Sequence, residues 1–119
     1  MTNLFGGIPD RLDAEQFIQL LAAPGLQIER IVSMGHVTPH GEWLVQDHGE
    51  WVVLVQGEAT LRLDGASEPC LLMQGDHLNI PAGLRHRVER TSASPPAIWL
   101  AVHYGYDLDG YDLDGRDLA

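Results

Sequence analysis

Positive charge is scarce in this sequence. Lys and Arg together number 7 against 17 Asp and Glu, a formal charge of −10. Gripping a phosphate backbone needs a basic face, so nucleic acid is not an expected partner. Cysteine is rarer still: Cys70 stands alone, which rules out an internal disulfide framework. With no base beside it in sequence, it reads as a half-buried strand residue rather than a nucleophile. No apolar run approaches membrane length, and the first residues lack the basic, apolar and small-residue succession of a secretory leader. No membrane partner is therefore expected, and the cytoplasm is the expected location. Neither a Ser-His-Asp order, nor a phosphate loop, nor a Cys-x-x-Cys zinc pair is present.

At 119 residues the chain is one domain, and its 45% apolar and 20% charged content is that of an ordinary globular protein. One helix is expected over Asp10–Ala23, capped by Asp13, with Glu15 in its first turn and Phe17, Leu20 and Leu21 on one face. Pro24-Gly25 would end it. Short strands follow near Leu26–Ser33, Trp43–Val45, Trp51–Val55, Ala59–Leu63, Cys70–Met73, His77–Ile80, His86–Arg90 and Ile98–Tyr104. Turn signals such as Asp64-Gly65 and Ser94-Pro95-Pro96 separate them. Many short strands with regular turns mean an all-β antiparallel barrel or jelly roll with the helix outside. The expected division is an N-terminal arm and helix over 1–25, a barrel over 26–104 and an acidic tail over 105–119. In that tail Tyr106-Asp107-Leu108-Asp109-Gly110 recurs at 111–115. It resembles part of a calcium loop but lacks the further oxygen ligands, and reads as a solvated, mobile repeat.

Two strands break clean alternation. Trp51-Val52-Val53-Leu54-Val55 and Ile98-Trp99-Leu100-Ala101-Val102 are apolar on both faces, so both faces should be covered. One short helix cannot cover both outer faces. A homodimer packing sheet against sheet is the expectation.

The most informative stretch runs from Gly75 to His86. It holds Gly75, five residues, Pro81-x-Gly83, two residues and His86. Pro81 fixes its own φ and Gly83 tolerates positive φ, so the backbone bends tightly and the residue just beyond can be aimed inward. Upstream, Glu50 is followed by six residues and Gly57. In this order the two segments resemble the paired motifs of the cupin superfamily. The resemblance implies a cupin-type double-stranded β-helix, a jelly-roll barrel enclosing a cavity.

The resemblance further implies one divalent metal (Fe, Mn, Ni, Cu or Zn) inside the barrel, on two histidines of a His-x-His, the glutamate and the later histidine. Carried over, Glu50 and His86 are metal-ligand candidates. The His-x-His itself is missing. Its places fall on Trp43 and Val45, or on Leu44 and Gln46, and only Gln46 offers a donor atom. Gln46, His48 and His103 are further ligand candidates, His48 lying just before Glu50 and His103 ending an apolar strand. Without metal, Glu50 and His86 would form a buried hydrogen-bonded pair. Trp43 would either wall the cavity and stack on a planar ligand or pack in the core. Strand alternation from His86 carries Val88 and Arg90 inward, where Arg90 would clamp a carboxylate unless an acid pairs with it.

Two functions stay open. One is a metal-dependent enzyme, since cupins of this kind include dioxygenases, isomerases and decarboxylases. The other is a metal-free binding module for a small anionic or aromatic ligand, lined by Trp43, Gln46, His86 and Arg90. The reaction is left unassigned.

Overall fold

The computed structural model describes residues 2–105, and the repeat from Tyr106 onward lies outside them. Eight strands follow one another: β1 (Gln16–Ala23), β2 (Leu26–Ser33), β3 (Gly49–Gln56), β4 (Ala59–Leu63), β5 (Cys70–Leu72), β6 (His77–Ile80), β7 (His86–Thr91) and β8 (Ala97–Tyr104). They form a five-stranded sheet in the order β1-β2-β8-β3-β6 and a three-stranded sheet in the order β5-β4-β7, with every pairing antiparallel. Val52, Leu54, Ala59, Leu61, Leu72, Ile80, Ala97, Trp99 and Ala101 make a buried core drawn from both sheets. This is a jelly-roll sandwich, as the alternation and turn spacing imply.

The expected helix over Asp10–Ala23 is a correction. Residues 16–23 are β1, and no helix is present among the described residues. Ala23 faces Leu26 across the two-residue loop Pro24-Gly25, and Gly25 has φ 70°. Proline followed by a positive-φ glycine makes a tight turn, so the pair closes a hairpin instead of ending a helix. Once β2 supplies hydrogen bonds across that turn, the apolar stripe is read at period two. The register shift between Gln19 and Leu21 then sends Phe17 and Leu21 to opposite faces. Short apolar runs carry this helix–strand ambiguity inherently.

The N-terminal arm lies across the outer face of the large sheet. Arg30 is 5% exposed, and its guanidinium donates to the carbonyls of Leu4 and Gly6 and to Gln16 Oε1. Further along the same face Trp51, Val53, Val55, Leu100 and Val102 are only half-buried.

The Trp43–Val45 strand is reduced to one bridge, Leu44 with His86. The long connection from β2 to β3 is instead stitched to the free edge of β7. Thr38 N donates to Val88 O, and the Leu44 and His86 backbones exchange two bonds. This stitching closes one side of the barrel and leaves a cavity beneath it. No helix among the described residues is long and apolar enough to cross a membrane.

Candidate functional site

The cavity has a volume of about 390 Å³, a size ordinary for small-molecule sites. Its wall is mainly apolar, with Ile31, Val52, Leu61, Ile80, Val88 and Trp99 among its members. The polar groups are few: Glu15, Glu29, Thr38, Gln46, Glu50, His86 and His103. Phe17, Val37 and Val45 line it while remaining exposed, which puts them at its mouth.

His86 arrives through the Pro81-x-Gly83 bend. Gly83 has φ 81°, and its N–H donates to Gln46 O, tying the bend to the segment that crosses the cavity. His86 is 4% exposed, and its Nδ1 lies 3.0 Å from Leu84 O. Bonding to a carbonyl requires a proton on Nδ1, so in the neutral ring it is Nε2 that carries the lone pair.

Glu50, 9% exposed, faces the cavity from β3. Its Oε1 accepts a hydrogen bond from Gln46 Nε2 at 2.7 Å. Directly opposite Glu50 on β8 stands His103. His103 Nε2 lies 2.8 Å from Glu29 Oε1, and its Nδ1 lies 2.9 Å from His48 Nε2. Burial favours the neutral His103 ring, but the hydrogen bond to Glu29 and the fields of Glu50 and Glu29 outweigh it, so its pKa is raised. His48 shifts the other way. Its burial and the neighbouring His103 cation lower its pKa, against smaller opposing effects from Asp47 and Glu29. His103 Nε2 donates to the Glu29 carboxylate, and across the His48 contact one ring donates and the other accepts, as the tautomer sets.

Of the sequence candidates, Glu50, His86, Gln46 and His103 meet at the cavity, and His48 is joined to it through His103. Trp43 is not among the lining residues; the Arg85 and Arg87 guanidinium carbons lie 5.3 and 5.9 Å from its ring centroid. Arg90 does not point inward either, which corrects the alternation argument. Thr60 faces Arg90 while Leu61 faces Val88, so Glu89 is an extra residue in β7. That bulge gives the inward place to Thr91, and Arg90 pairs with Glu58 at 3.1 Å on the surface.

The donor atoms do not fit a resident transition metal. Among the described residues no three of His, Cys, Asp and Glu come together as a group able to hold an ion. Both nitrogens of His103 are engaged, and Gln46 turns its amide N–H toward Glu50. Glu50 and His86 remain, and two ligands hold such an ion loosely.

Sequence reasoning missed Glu15, Glu29 and Trp99 as members of the site. The signal for Glu29 was available: Gln27, Glu29, Ile31 and Ser33 share one face of β2. Which face is the inner one emerges only from the pairing with β8.

The family model described as "Cupin domain" matches residues 33–103. A solved protein of Ralstonia eutropha JMP134, provisionally described as a mannose-6-phosphate isomerase, is 41% identical, with a TM-score of 0.84 over 87% of this chain and 96% of its own. A cupin superfamily protein of Desulfitobacterium hafniense DCB-2 is 18% identical, with a TM-score of 0.66 over 82% of this chain and 83% of its own. The DMSP lyase of Ruegeria pomeroyi DSS-3 is 20% identical, with a TM-score of 0.67 over 88% of this chain and 54% of its own. At these last two identities the likeness concerns the fold alone. No curated protein matches the sequence.

Proposed function

The chain belongs to the cupin family, and on that premise we propose that it binds a small molecule in the barrel cavity without a resident metal. One observation carries the reading: His103 is held on both sides, by Glu29 and by His48, so neither of its ring nitrogens is open to a metal. The cavity then offers a ligand an apolar enclosure, the Glu50 carboxylate and the His86 Nε2 lone pair. A ligand can be oriented by those two acceptors while its body displaces water from the apolar wall. The test is metal analysis of tag-free protein, followed by thermal shift with added Fe, Mn, Ni, Cu or Zn. The expected outcome is no stoichiometric metal and no shift that depends on Glu50 and His86. A stoichiometric ion lost in both Glu50→Ala and His86→Ala would sink the reading.

A second reading is a proton-transfer enzyme. It is favoured by one cavity holding two imidazoles, His86 and His103, together with the Glu29 and Glu50 carboxylates.

We also propose a homodimer. What supports it is the half-buried apolar outer face at Trp51, Val53, Val55, Leu100 and Val102, together with β1. That edge strand contains no charged residue and exposes Phe17, Ile18, Leu20 and Leu21. Uncharged apolar edges pair or aggregate unless something covers them. Light scattering should report twice the 13.1 kDa chain mass; a monomer at micromolar concentration would remove the proposal.

A further inference from the structure

We propose that the cavity selects a small organic cation, a protonated alkylamine, over acidic and phosphorylated ligands; this rests on the reading that the cavity binds a small molecule. The seven basic residues are all arginines. None of those described lines the cavity. Arg30 holds the N-terminal arm, Arg62 pairs with Glu89, Arg90 pairs with Glu58, and Arg85 and Arg87 lie against Trp43. A carboxylate or phosphate entering the cavity would meet no guanidinium.

It would meet carboxylates instead. Glu15, Glu29 and Glu50 all line the space. His103 offsets at most one of these charges, so at least two remain in a largely apolar enclosure. Bringing a second anion there adds like-charge repulsion to the cost of desolvation, which excludes such ligands actively.

The hydrogen-bond inventory points the same way. The donors are mostly spent inside the protein: Gln46 Nε2 on Glu50, His86 Nδ1 on Leu84 O, and His103 Nε2 on Glu29, with His103 Nδ1 engaged by His48. The acceptors are not. His86, 96% buried by its 4% exposure, turns Nε2 to the cavity, and Glu50 has one oxygen beyond that bonded by Gln46. An acceptor-rich, donor-poor site is complemented by an ammonium group, which is donor only. The buried Trp99 ring adds a face suited to a cation, and Ile31, Val52, Leu61 and Ile80 suit an alkyl chain.

The test is an NMR titration of the full-length, tag-free protein in EDTA, following the Trp99 indole and the His86 ring. The probes are n-butylammonium, n-butanol, butyrate and mannose 6-phosphate. The expected result is butylammonium binding about tenfold or more tighter than butanol, the scale of one charge-assisted contact, with neither anion moving those signals. Glu50→Gln should weaken butylammonium about tenfold and leave butanol nearly unchanged. Glu15→Gln, nearer solvent, gives the same comparison should Glu50→Gln fail to fold. Butyrate or mannose 6-phosphate binding as tightly as the cation overturns the charge preference alone. Cation affinity unchanged in every folded variant also overturns it. No response to any of the four probes overturns the small-molecule reading and this inference with it.

Discussion

Glu29 and His103 are diagonal neighbours across two strands. Glu29 faces Ala101 and Gln27 faces His103, yet Glu29 Oε1 reaches His103 Nε2 at 2.8 Å. On the other side of β8, Glu50 is directly opposite His103. One imidazole thus stands between carboxylates from β2 and β3, and this sets the site's response to pH.

Stability is expected to be greatest near the ordinary imidazole pKa of 6.5. His103 titrates above that value in the folded state, so its contribution is complete below 6.5 and is lost as pH rises through its folded pKa. His48 titrates below it. Under acid the unfolded chain takes up a proton that folded His48 refuses, so stability falls as pH drops below 6.5. Thermal unfolding midpoints from about pH 5 to 9 should trace this arch. His103→Gln should flatten its alkaline limb; a wild-type midpoint that climbs steadily to pH 9 refutes the assignment.

Arg90→Ala should leave both stability and cavity binding nearly unchanged. The Arg90 and Glu58 side chains are 57% and 45% exposed, and such pairs contribute about 0–1 kcal/mol. Calorimetric unfolding and a cavity-ligand titration check this. A large loss of binding would mean that Arg90 turns inward after all.

Arg30→Ala should cost about 2 kcal/mol, because it leaves two arm carbonyls and Gln16 without their buried donor. Arg30→Lys should recover little, since one ammonium does not reproduce the planar fork. Denaturant unfolding gives the cost, and hydrogen exchange at residues 3–7 should rise with it. Unchanged exchange there would show that the arm is held by something else.

How far the sequence reveals this protein depends on how local each cause is. Leu26–Ser33, Ala59–Leu63 and His77–Ile80 read correctly because alternation and turn residues are properties of neighbours in the chain. His86 read as inward because Pro81 and Gly83 set the bend beside it. The rest is set at a distance. β1 is a strand only because β2 lies alongside it across Pro24-Gly25. Arg90 turns outward because the pairing with β4 inserts Glu89, which no pattern within β7 announces. Glu29 became a site residue only when β8 brought His103 to it.

Gly49→Ala should be costly although it adds one methyl group. Gly49 faces Tyr104 in the β3–β8 register, and a Cβ there would overlap the Tyr104 ring. Swinging the ring away would break the hydrogen bond that its hydroxyl donates to Asn79 Oδ1 on β6. Overpacking of this kind costs about 1–3 kcal/mol, and the strain falls on the residue before Glu50. The substitution should therefore lower the unfolding midpoint and also disturb the cavity. Shortening the ring removes the obstruction, so Gly49→Ala combined with Tyr104→Ala should be less unstable than the sum of the single changes. A coupling of about 1 kcal/mol in that double-mutant cycle is the expected value. Simple additivity would mean that the backbone yields at Gly49 and that the ring imposes no constraint.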